Sequence, residues 1–156
     1  MKNRTLIIGL CLVLVFVLGA AVSLFWTPYD ITGTDIANKM TRPSLTHWLG
    51  TDHLGRDILS MIMVGAQVSV FVAIVAVGIG LCLGVPMGLW AASRAGHWID
   101  ELLMRGNDLI FAFPSLIIAI LIAAIFGPSV TNAIIAIGIF NIPVFARVTR
   151  GAALAL

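Results

Sequence analysis

Charge is what this sequence has least of. Only 10% of its 156 residues are charged and 60% are apolar, against roughly 25% and 45–50% in soluble globular domains. That scarcity excludes a soluble domain, and so much apolar surface excludes a disordered chain. Cysteine is also scarce. Cys11 and Cys82 have no CxxC and no ligating neighbours, so they read as small packing residues and not as metal ligands. Histidine occurs only at 47, 53 and 97, with no HExxH and no GxSxG, so no catalytic or metal site is assigned. GxxxxGK(S/T) is missing, and with it any phosphate cradle. Lys/Arg runs are missing too, and a net charge of +2 gives no reason to expect nucleic acid. No cofactor is implied.

The remaining apolar sequence falls into three charge-free stretches, between Arg4 and Asp30, Asp57 and Arg94, and Asp108 and Arg147. Each exceeds the roughly 20 residues of one bilayer crossing. Leu6 to Trp26 reads as a first crossing, and Lys2 and Arg4 before it place the N-terminus in the cytoplasm. A cleaved signal peptide ending near Gly19-Ala20-Ala21 is the competing reading, but the apolar run continues through Phe25. Val68 to Trp90 reads as the second crossing. Gly127-Pro128-Ser129 splits the last stretch into Leu109–Phe126 and Val130–Ala146, with Arg147 and Arg150 at a cytoplasmic exit. No alternation of the barrel kind is present. The expectation is an all-α, polytopic membrane protein of about four transmembrane helices. It is organised as an N-terminal helix (1–26), an extracytoplasmic segment (27–62) and a helical core (63–156).

Gly80, Gly84 and Gly88 recur every fourth residue and predict close approach by another helix. Pro86, in the same turn, predicts a bend. Ahead of the third crossing, Asp100, Glu101, Arg105 and Asp108, with Asn107, occupy less than half of a helical circumference. Glu101 and Arg105 stand in the favourable i,i+4 order. This stripe is either an interfacial helix face or a polar face turned into the bundle, since ionisable groups at membrane depth pair or face a cavity. Pro114 predicts the bend into the spanning part.

Four aspartates face three cations between Thr27 and Ser60, which suits the outer side. The segment ends in His47-Trp48-Leu49-Gly50-Thr51-Asp52-His53-Leu54-Gly55-Arg56-Asp57-Ile58-Leu59-Ser60. It reads as two glycine turns whose carboxylates are placed to cap the next helix.

That string resembles the HxLGTDxxGRDxLS signature of permease subunits in peptide- and nickel-type ABC importers, the DppC/OppC-like branch of binding-protein-dependent transport systems. Trp98–Arg105 resembles the family's GxxDExLMR stretch, and Asp108–Ser115 its DxxxAFPxL segment. Phe126–Ser129 resembles its LGPS hairpin, and Ala146–Gly151 its ARxxRG exit. The chain departs from the pattern at Met61 and Gln67, where a basic residue is usual, and at His53, where an acid or amide is. These departures bear on particular salt bridges. The chain also stops at Leu156, before the loop carrying the EAA motif, so it is expected to be an incomplete copy.

The resemblance implies the N-terminal part of a type-1 (MetI-like) permease fold in a bacterial inner membrane. It implies an ATP-driven importer of peptides or a related small solute, nickel included. Its implied partners are a second, homologous permease subunit, cytoplasmic ATPases, a periplasmic or lipid-anchored solute-binding protein, and membrane lipid. Asp100, Glu101, Arg105 and Asp108 are candidates for the pathway or bundle-facing stripe, and Asp52, Arg56 and Asp57 for the outer face. A non-transporting assembly subunit and an intramembrane enzyme are the alternatives. The second would have to use Ser69, Ser115, Ser129 or Thr131, and none of these has a base beside it in sequence.

Overall fold

The computed structural model describes residues 2–155. Its regular structure is helical: α1 (Lys2–Ser23), a short 3-10 turn (Ile36–Asn38), α2 (Ile58–Ser93), α3 (Trp98–Ala112), α4 (Ser115–Phe126) and α5 (Val130–Leu154). Among the described residues the one β feature is an isolated antiparallel bridge between Thr51 and Asp57. The chain divides into two compact units, one up to Phe71 and one from Val72.

In the first unit, α1 is bare over most of its circumference, with 6% of its apolar window buried. It ends at Ser23, short of Trp26, because the Ser23 hydroxyl donates back to the Ala20 carbonyl (2.8 Å) and the last turn tightens. The same hydroxyl donates to Gln67 Oε1 at 3.1 Å. A second difference is larger. α2 begins at Ile58 and not at Val68, so it takes up the end of the segment assigned to 27–62. The mixed stretch Ser60–Gln67 conceals this, because its helix is set by a capping residue in front of it and not by apolar periodicity. At 1.5 Å per residue the 36 residues of α2 reach about 54 Å, well beyond a hydrocarbon core of roughly 30 Å.

The second unit packs α3, α4 and the later part of α2 against α5. α2 runs unbroken through Pro86, which leaves the Cys82 carbonyl without its helical donor. Ala76, Gly80, Gly84, Gly88 and Ala91 line one buried face. A Cβ on Gly84 would lie 2.5 Å from the Ile142 carbonyl oxygen and 2.8 Å from Phe145 Cβ, and one on Gly80 2.6 Å from Asn141 Cβ. Here α5 approaches at backbone distance, and any side chain would push it away. Asn141 Nδ2 donates to the Ala76 carbonyl across this contact (3.3 Å).

Leu109–Phe126 is not one helix. α3 and α4 meet at a 76° bend, where Pro114 has no N–H to give and holds Phe113 extended (φ −96°, ψ 129°). The bend lies where Pro114 predicts it, but the spanning part, α4, has only 12 residues, about 18 Å. Among the described residues three helices are long and apolar enough to cross a membrane, and a fourth span exists if the bent pair counts as one. α5 also differs from expectation. It continues past Ala146 to Leu154, so Arg147 and Arg150 are helix residues and not an exit loop. Their partners on α3 explain why these charges do not end the helix. The turn into α5 is closed by Ser129 Oγ, which accepts from the Asn132 N–H (3.1 Å), and by Asn132 Nδ2, which donates to the Gly127 carbonyl (2.7 Å).

Candidate functional site

Two constellations of polar residues stand out, one in each unit. The first is the 47–60 string. Gly50 and Gly55 both have positive φ, 78° and 79°, and a Cβ at either would overlap backbone: the Thr41 carbonyl at Gly50 and the Asp35 carbonyl at Gly55. Between these turns Asp52 is saturated. Its Oδ1 accepts from the N–H groups of Leu54 (2.8 Å) and Arg56 (2.9 Å), and its Oδ2 from Arg56 Nε (2.9 Å) and Nη2 (2.6 Å). Burial works against the Asp52 carboxylate, but Arg56 and the two backbone donors outweigh it and hold its pKa at about 2. Thr51 donates to the Asn38 carbonyl (2.5 Å) and accepts from the Thr41 N–H (2.9 Å), drawing the preceding loop onto the motif.

Asp57 caps α2. Its Oδ2 accepts from the Ser60 N–H and the Ser60 hydroxyl, both at 2.8 Å, so one carboxylate oxygen serves the free donors of the first turn. Its Oδ1 meets His47 Nδ1 at 3.0 Å. Burial pushes Asp57 upward, and the Ser60 N–H, His47 and the Ser60 hydroxyl more than reverse this, leaving it below the usual carboxylate range. Tyr29 completes the arrangement. Its ring lies 4.5 Å from that of His47, its hydroxyl donates to the Thr46 carbonyl (2.7 Å), and its N–H donates to Ser60 Oγ (3.1 Å). An open cleft of about 700 Å³ runs beside these groups, with Asp30, Asp35, Arg42, His47 and Arg56 on its walls. Tyr29, His47 and Ser60 are not among the expected site residues, because their partners lie 10 to 31 positions away or, for Ser60, belong to an unrecognised first turn.

The second constellation joins α3 to α5. The predicted stripe does not stay together. Glu101 and Arg105 pair with each other as their spacing predicts (2.6 Å), on a face whose side chains are exposed (63% and 76%). Asp100 turns away from them. It is buried, and Arg150 grips it through two parallel bonds, Nε–Oδ1 and Nη2–Oδ2, both 2.6 Å. Asp108 pairs with Arg147, whose guanidinium also lies 4.4 Å above the Phe111 ring, and Phe111 meets Phe140 edge-on at 5.2 Å. Asp100 matches the later arginine and Asp108 the earlier one, so α3 and α5 run antiparallel. Asn107, between the two aspartates, is 2% exposed, and its Nδ2 has no partner among the described residues. The two arginines carry a signal that pairing arguments miss. Three residues apart on one helix, they can face two carboxylates eight apart on another.

Residues 84–156 match the family described as Binding-protein-dependent transport system inner membrane component. Over 155 residues the chain is 42% identical to the dipeptide transport system permease protein DppC of Alkalihalophilus pseudofirmus, covering 99% of this chain and 51% of the relative. It is 44% identical over 145 residues to the glutathione transport system permease protein GsiD of Escherichia coli (92% and 48%). It is 40% identical over 146 residues to GsiD of Pectobacterium atrosepticum (90% and 48%). The chain therefore spans about half the length of the curated relatives it matches.

Proposed function

We propose that this chain, similar over most of its length to inner-membrane permeases of binding-protein-dependent transport systems, serves as a permease subunit importing a small peptide or a related solute. The observation that carries the reading is identity of 42–44% over 92–99% of the chain to dipeptide and glutathione permeases. It pairs with a second permease subunit, receives solute from a binding protein outside the membrane, and depends on partner ATPases for energy. Its N-terminus, with Lys2 and Arg4, lies in the cytoplasm, and the segment from Thr27 to Asp57 lies outside.

Within this reading the polar residues divide by role. The oxygens of Asp52 and Asp57 are all taken up by the outer segment and the first turn of α2, so these residues and Arg56 shape the face that meets the binding protein. Asp100 and Asp108 hold α3 against α5. Glu101 and Arg105 lie on the exposed face of α3, at the cytoplasmic surface.

The test is uptake of labelled dipeptide, glutathione and nickel by cells with and without the gene for this chain. Loss of dipeptide or glutathione uptake, restored by the gene in trans, is the expected result. Unchanged uptake of all three overturns the proposal, and loss of nickel alone replaces peptide as the substrate class.

A further inference from the structure

The outer segment carries apolar groups that its own fold leaves uncovered. Leu45 is 98% exposed, Phe25 92%, Trp48 71% and Trp26 61%. They are not the ends of a loose loop. The turn that presents Leu45 and Trp48 is closed by the Ser44 N–H to the His47 carbonyl and by the Gly50 N–H to the same carbonyl, both 2.9 Å. The Tyr29 hydroxyl holds Thr46 from the other side. Beside Trp48 runs a mainly apolar groove of about 540 Å³, whose walls include Gly19, Trp26, Leu59 and Met63, with Thr46 and Asp57 as polar members at its side.

Gly19 fixes the depth of that groove. It lies four residues inside the end of α1 at Ser23, about 6 Å by helical rise. α1 is a membrane-length apolar helix that the rest of this chain leaves almost bare, and the groove opens at the level where acyl chains begin when α1 spans the bilayer. Phe25 and Trp26 follow immediately and occupy the interfacial layer that suits aromatic rings with one polar edge. Trp48 lines the same groove as Trp26, so it shares that layer although it lies 22 positions further along the chain.

We infer that the outer segment rests on the bilayer, with Leu45 and Trp48 inserted at the interface beside the end of α1, and that a phospholipid acyl chain fills the groove between Gly19, Trp48 and Met63. This arrangement needs α1 to be a span. It does not need the chain to transport anything, so its failure and the failure of the permease reading are separable.

The full chain is reconstituted in nanodiscs with Trp48 as its sole tryptophan (Trp26, Trp90 and Trp98→Phe). Lipids brominated high on the acyl chain are expected to at least halve Trp48 emission, lipids brominated near the chain end to quench it less, and aqueous acrylamide to have little effect. Strong quenching by acrylamide without quenching by bromolipid overturns the inference, as does protection from both, which would mean that protein covers the face. A second readout leaves the groove untouched. In a Cys11→Ala, Cys82→Ala, Leu45→Cys chain, a nitroxide at position 45 is expected to relax faster with oxygen than with an aqueous nickel chelate. The reverse order overturns the inference.

Discussion

The two polar constellations are built on opposite plans. In the outer segment Asp52 finds its partners within four residues and Asp57 within ten, so the motif folds as one local unit and ends by capping α2. Between α3 and α5 the partners are 39 and 50 residues apart, and nothing local holds them. The first plan stabilises a shape that depends little on the rest of the molecule. The second makes the packing of α3 on α5 depend on two ion pairs, beside the glycine strip that seats α2 on α5. A local motif therefore degrades one turn at a time, whereas a long-range tie fails for the whole helix pair.

Substitutions that separate the two plans follow from this contrast. The largest effect belongs to Arg150→Ala, which leaves the buried Asp100 carboxylate unpaired. Thermal unfolding of the purified protein should show a larger fall in Tm for this change than for Gly84→Leu, Asp57→Ala or Glu101→Gln. The swap Asp100→Arg with Arg150→Asp should recover part of the loss. Gly84→Leu follows, because its side chain meets the α5 backbone. A loss of about 2 kcal/mol or more is expected, with the outer segment unaffected by hydrogen exchange.

Asp57→Ala removes a helix cap, worth about 1 kcal/mol, and should speed exchange at Ser60 and Met61 without moving α3 or α5. Acid gives a graded version of the same test. The Asp52 pKa is lowered from 3.8 to about 2, so its contribution is complete above pH 3.8 and is lost as pH falls through about 2. Exchange at the Leu54 and Arg56 amides should accelerate only in that window. The smallest effect belongs to Glu101→Gln, since an exposed i,i+4 pair is worth about 0.3 kcal/mol. A large loss there would place the pair in an interface.

The same contrast governs how much is legible in the sequence. The capping role of Asp57 can be read because the glycine turn, the carboxylate and the helix are contiguous, and the Glu101–Arg105 pair because four residues is one helical turn. The glycine strip announces a close partner, but not that Asn141, Ile142 and Phe145 of α5 supply it. Arg147 and Arg150 look in sequence like the end of a crossing, because a charge after an apolar run ordinarily marks water. Partners on another helix remove that need. The early start of α2 is hidden for the opposite reason: its first turns are fixed by Asp57 and carry no apolar period of their own.

That this chain works as one subunit of an ATP-driven permease is tested most directly by purifying the tagged chain from native membranes in mild detergent. The eluate is assayed for ATP hydrolysis and for co-eluting subunits. A second permease subunit and an ATPase bearing a phosphate-binding loop are expected in stable association with the chain. Recovery of the chain alone, with no ATPase activity, under conditions that keep related permeases assembled, would show that it is not such a subunit.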